Sequence, residues 1–170
     1  ILLVVLALLS WRRHWREGGL LVVAMAVEGA TYATATFFVE RHRPSVPRLE
    51  DLIVADSYFS GHVAASVTMF GCLAIIVWSL SSRIAFRAAA AVLALVLPLV
   101  VALSRMYRGM HYASDVVVGA IVGVACITIG LLAVRAGAAA AAARTPAEPR
   151  SAEPVRAEPR RVVVPPSAPS

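Results

Sequence analysis

The sequence predicts an all-α protein, a polytopic bundle of transmembrane helices, and three observations carry that prediction. Of the 170 residues, 59% are hydrophobic and the mean hydropathy is +0.77; soluble domains are rarely so apolar. Four predominantly apolar runs are each long enough to cross a hydrocarbon core of about 30 Å at about 1.5 Å per helical residue. Charged residues are gathered mainly in the segments between those runs and in the C-terminal region.

The opening run, Ile1 to Ser10, is too short to span, and the chain begins with Ile rather than Met. It is expected to be the end of a helix whose start lies outside this sequence. Gly19 to Val39 is the first complete span. Its Glu28 lies near mid-membrane, where an unpaired charge is expensive, so a hydrogen-bond partner between helices is expected for it. His62 to Leu80 is the second span. Ile84 to Leu103 is the third, with Arg87 near enough to its start for the long side chain to reach the head groups. Tyr112 to Val134 is the fourth, and its Gly119 and Gly123 form a Gly-x-x-x-Gly that permits close helix packing. From Ala136 an alanine run gives way to Ala-Glu-Pro recurring at Ala147, Ala152 and Ala157. Such a segment breaks helices and has little apolar surface. The expected division is a membrane domain over 1–135 and a disordered tail over 136–170.

All sixteen basic residues are arginine and the net charge is +6, but the arginines are dispersed among loops and tail rather than forming one stripe. That distribution argues against nucleic-acid binding. Arg12, Arg13, Arg16, Arg83, Arg87 and the arginines from Arg135 onward fall on one side of the membrane. The tendency of cytoplasmic loops to be basic makes that side, and the tail, cytoplasmic. The loops Glu40 to Gly61 and Ser104 to His111 are then extracytoplasmic. Cys72 and Cys126 fall inside predicted spans without metal-site spacing and read as buried thiols.

Polar residues concentrate at the extracytoplasmic face in three clusters: "ERHRP" from Glu40, "SYFSGH" from Ser57, and "SRMYRGMHYASD" from Ser104. The second and third lie at helix N-termini on one side of the membrane, where free amides and the helix dipole favour an anion. The Ser60 hydroxyl can cap or donate, and Gly61 lets backbone approach an oxyanion. Arg43 and Arg105 add planar forks suited to phosphate oxygens. His111 and Asp115 are four residues apart at a helix start, so the carboxylate can accept a hydrogen bond from one ring nitrogen and leave the other as base or nucleophile. His62 supplies a second imidazole able to protonate a leaving oxygen.

These residues make the chain resemble the type 2 phosphatidic acid phosphatases, membrane lipid phosphate phosphatases that share a site with vanadium haloperoxidases. The family's third signature, Ser-Arg, five residues, His, three residues, Asp, is complete as Ser104, Arg105, His111 and Asp115. The second, Pro-Ser-Gly-His, is present from Ser60 to His62, with Phe59 in place of proline. The first, Lys, six residues, Arg-Pro, keeps Arg43 and Pro44 but has Thr36 at the lysine position.

The resemblance implies a six-helix core, with one partial and four complete helices in this chain. It implies a lipid phosphate or pyrophosphate as substrate, and no metal and no other cofactor. It makes His111 the nucleophile, Asp115 its orienting partner and His62 the acid and base. Arg43, Arg105, Ser60 and the Gly61 amide would bind the phosphate. Arg41 or Arg108 is expected to supplement the missing lysine, and Phe59 to loosen the turn before Ser60. Two alternatives stand beside this reading: a member weakened by the Thr36 and Phe59 changes that only binds lipid phosphates, and a haem protein ligated by His62 and His111.

Overall fold

The structure, a computed structural model, describes residues 1–46 and 58–144. These form five helices in order: α1 (Leu2–Trp11), α2 (Trp15–Phe38), α3 (Gly61–Leu80), α4 (Ile84–Tyr107) and α5 (Ala113–Arg144). There is no strand among the elements of the described residues, and α2 to α5 are each long and apolar enough to cross a membrane. The chain is therefore an all-α integral membrane protein.

Helix α3 is central. It packs against α2, α4 and α5, while α5 also packs along α2, and α1 leans on α2. Away from the polar end of the bundle, Leu9, Leu20, Leu21, Ala24, Cys72 and Ile76 close a dry core, with Ile127, Leu131 and Val134 of α5 packed against it. Both cysteines are free and buried. The outer surface is just as apolar: Leu95, Val96, Leu99, Leu103, Val117 and Ile121 are all exposed. Contiguous exposure of this kind suits lipid rather than water. Pro98 lies inside α4; a proline there frees a backbone carbonyl, which neighbouring groups in a membrane bundle re-satisfy.

Two boundaries differ from the sequence expectation. Helix α4 runs on to Tyr107 and takes Ser104 and Arg105 into its last turns, so these residues are helical rather than part of a loop. A cation near a helix C-terminus is favourable, which removes any reason to stop the helix before Arg105. Helix α5 continues through the alanine run to Arg144, so the disorder expected from Ala136 does not begin there. Alanine is the strongest helix former, and no proline occurs between Pro98 and Pro146. At 1.5 Å per residue its 32 residues extend about 48 Å, well beyond a hydrocarbon core of about 30 Å. The proline-rich part of the tail, from Thr145, lies outside the described residues.

Candidate active site

Four segments converge at the polar end: the chain after α2, the N-terminus of α3, the last turn of α4, and the connection leading into α5. Backbone contacts set the frame. The Ser60 amide donates to the Asp115 carbonyl at 3.1 Å, fastening the start of α3 to the first turn of α5. Gly119, one turn further along α5, makes this approach possible: a Cβ there would stand 2.7 Å from the Ser60 carbonyl oxygen. At Gly123 a Cβ would meet the Ala64 carbonyl at 2.8 Å. The Gly-x-x-x-Gly expected to allow close packing is thus the seam between α3 and α5. A Cβ at Gly61 would stand 2.7 Å from the Tyr32 ring of α2.

Between α4 and α5 the chain turns through Gly109 at φ 65°, a left-handed conformation that glycine adopts without steric cost. Met110 then folds back, its amide donating to the Arg105 carbonyl at 3.1 Å, and its side chain is fully buried. The Met110 carbonyl accepts from Arg43 Nη1 at 2.8 Å. Arg43 is thereby held beside His111, whose residue is 8% exposed.

The side chains assigned to anion binding meet here. Arg105 is buried at the end of α4, and its Nη2 lies 3.4 Å from His62 Nε2 and 3.5 Å from Nδ1. Nearly equal distances put the guanidinium across the ring rather than in line with one nitrogen. Ser60 is wholly buried, yet its Oγ has no hydrogen-bond partner among the described residues. A buried hydroxyl without a partner costs about 1–3 kcal/mol, so such groups usually have a role or an absent ligand to explain them.

Asp115 differs from expectation. Its carboxylate is fully buried, and Oδ1 accepts from Arg41 Nη1 at 2.5 Å. Oδ2 accepts from the Tyr112 amide at 3.0 Å and lies 4.0 Å from His111 Nδ1, longer than a hydrogen bond. The printed approach of His111 to the carboxylate is through Nδ1, and Asp115 also pairs with an arginine. Arg41 also donates to Ser114 Oγ at 3.1 Å and lies over the Tyr112 ring. Its expected part as a supplementary phosphate ligand is not what the geometry favours.

Arg108 caps α4 and lines an open groove of about 700 Å³ with Val100, Leu103, Ser104 and Tyr107, a groove to which neither histidine contributes. The Thr36 hydroxyl turns back onto its own helix, bonding the Tyr32 and Ala33 carbonyls at 3.0 Å. Phe59 does not simply loosen the turn: it is 3% exposed and packs edge-on against Tyr32 and Tyr58. Aromatic packing anchors the position where a proline ring would have fixed φ. The sequence reading missed Tyr32, and only its one-turn spacing from Glu28 pointed to it. Among the described residues no group of three or more His, Cys, Asp or Glu side chains converges as a metal site would.

A bundle of membrane-crossing helices with arginines, histidines and a buried serine at one end is the class of protein that fold and site define. A profile of the PAP2 superfamily matches residues 17–137, and the chain belongs to that superfamily. Among solved structures it is similar to the crystal structure of Aquifex aeolicus LpxE, with a TM-score of 0.59 and 25% identity over 77% of this chain and 76% of that one. A search of curated proteins finds no match. Family and fold together support a phosphatase, a hydrolase embedded in the membrane by its helices.

Proposed function

We propose that the chain is a lipid phosphate phosphatase that works through a phosphohistidine. The observation that carries this reading is that Arg105 lies against His62, Arg43 holds the Met110 carbonyl next to His111, and Ser60, two residues before His62, buries a hydroxyl with no partner among the described residues. In the first step His111 Nε2 attacks phosphorus, the bond to the leaving oxygen breaks, and His62 gives that oxygen a proton. In the second, His62 takes a proton from water, the hydroxide attacks phosphorus, the P–N bond breaks and inorganic phosphate leaves. Arg43, Arg105, Ser60 Oγ and the Gly61 amide stabilise the charge that accumulates on the equatorial oxygens. Asp115 orients His111, and Arg41 in turn holds Asp115. No metal ion or other cofactor enters either step.

The substrate is a lipid phosphate or pyrophosphate reaching the site from the bilayer. Phosphatidic acid, phosphatidylglycerol phosphate and undecaprenyl pyrophosphate are the candidates. The arginine distribution supports a site on the extracytoplasmic face of the cytoplasmic membrane with the C-terminal tail inside. Residues 1–135 form the catalytic membrane domain in this reading.

Purified protein in detergent is expected to release phosphate from at least one of the three lipids in the presence of EDTA. His111→Ala is expected to abolish that release and to prevent trapping of an acid-labile, base-stable phosphoenzyme. Full activity in the alanine variant refutes the assignment. A variant and parent that both bind lipid phosphate without turnover would instead favour a binding protein.

A further inference from the structure

A second feature of the site is unexplained by phosphate chemistry. Between α2 and α3 lies a cavity of about 280 Å³ lined by Glu28, Tyr32, Gly61, His62 and Ala65. Glu28 is 6% exposed. The hydrogen bond expected for it between helices is absent among the described residues, and its carboxyl borders the cavity instead. An ionisable side chain at membrane depth is costly to keep unless it meets a partner or a ligand.

The cavity's depth can be worked out from the helices. Tyr32 lies against Gly61, and Glu28 is one turn below Tyr32 on α2, as Ala65 is one turn below Gly61 on α3. The carboxyl-bearing residue is therefore about 6 Å deeper than the start of α3 at 1.5 Å per residue. His62, which forms the upper wall, is the group that protonates the leaving oxygen in the function proposed above. A leaving group must lie against that imidazole, and the cavity is the space next to it.

We infer that this cavity is a leaving-group subsite, in which Glu28 accepts a hydrogen bond from a hydroxyl carried two or three atoms from the phosphoryl ester oxygen of the lipid substrate. The inference rests on the phosphatase reading and narrows it to lipid phosphates of the glycerol or sugar type. A carboxyl accepts such a bond in either protonation state. Glu28 and His62 line the same cavity about one helical turn apart in depth, so a hydroxyl two or three atoms from an ester oxygen held at His62 extends toward the carboxyl. A site built to bond a hydroxyl discriminates strongly against the analogue that lacks it, because the buried acceptor is then left unpaired.

The test uses 1-acylglycerol 3-phosphate, which carries a free 2-hydroxyl, and its 2-deoxy analogue of equal chain length. They are compared on the parent, Glu28→Leu and Glu28→Gln, each shown by circular dichroism and gel filtration to be folded. The parent is expected to prefer the hydroxyl-bearing substrate by about tenfold or more in kcat/KM. Glu28→Leu is expected to lose that preference while keeping turnover of the deoxy substrate, and Glu28→Gln, whose amide oxygen still accepts, to keep part of it. An equal preference in the parent and Glu28→Leu overturns the subsite.

Binding of the two dephosphorylated alcohols, 1-acylglycerol and its 2-deoxy analogue, is measured in parallel by saturation-transfer NMR. A parent that favours the diol through Glu28 but releases no phosphate from either substrate leaves the subsite standing and refutes the phosphatase reading. No preference between the alcohols, in a parent that also lacks activity, overturns both.

Discussion

Replacing Arg41 with alanine removes the guanidinium that meets the buried Asp115 carboxylate at 2.5 Å. The carboxylate keeps the Tyr112 amide at 3.0 Å but loses the Arg41 cation. Breaking a buried ion pair from one side costs about 3–5 kcal/mol. Asp115 is 0% exposed, but the Arg41 side chain is 36% exposed, so water can enter where it stood and the expected cost falls to about 2 kcal/mol. The assay is a double-mutant cycle: Arg41→Ala, Asp115→Asn and the double variant are unfolded in mixed detergent and followed by tryptophan fluorescence. A coupling of about 1–3 kcal/mol is expected. Kinetics should separate in the same set, since Arg41→Ala lowers kcat by releasing Asp115 from its place beside His111 and leaves KM nearly unchanged. Arg41→Lys should restore part of both losses. A coupling below about 0.5 kcal/mol, the additivity limit for independent sites, refutes the ion pair as a positioning element. A rise in KM with kcat intact would return Arg41 to the phosphate.

Ser60→Ala should hold or raise stability, by up to about 1–3 kcal/mol, because the buried hydroxyl it deletes has no partner among the described residues, while lowering kcat by about 100-fold if that hydroxyl donates to the developing oxyanion. Unchanged kinetics would remove it from the cradle. Gly119→Ala places a methyl 2.7 Å from the Ser60 carbonyl, a backbone atom that cannot turn aside. A loss of about 1–3 kcal/mol is expected from overpacking, together with reduced kcat/KM as Ser60 is displaced; melting and phosphate release measured on the same preparation check both.

Much of the fold was legible because hydrophobic length alone finds membrane helices: the four spans start within about four residues of their expected positions. The ends were less so, for two physical reasons. Helix α4 takes Arg105 inside because a cation stabilises a helix C-terminus, and α5 runs through alanines that composition alone assigned to disorder. The third signature was readable because its spacing is local to one turn and one helix start. The Arg41–Asp115 pair was not, since it joins residues 74 positions apart through a side chain whose direction no periodicity encodes. The packing of Phe59 was hidden for a related cause: it depends on Tyr32 and Tyr58 around it rather than on its own backbone preference. Glu28 was marked as costly in its place, but the cavity beside it became visible only with α2 and α3 docked.

The absence of a side chain at Gly119 has a mechanical consequence. With the Ser60 carbonyl resting on bare backbone, α3 and α5 meet at this level without a side chain of Gly119 between them that could compress or slip. A change in bilayer thickness that tilts one of these helices must carry the other with it. Ser60 and Asp115, on opposite sides of the seam, then travel as one rigid body, and the spacing between hydroxyl and carboxylate is insulated from the elastic state of the surrounding lipid.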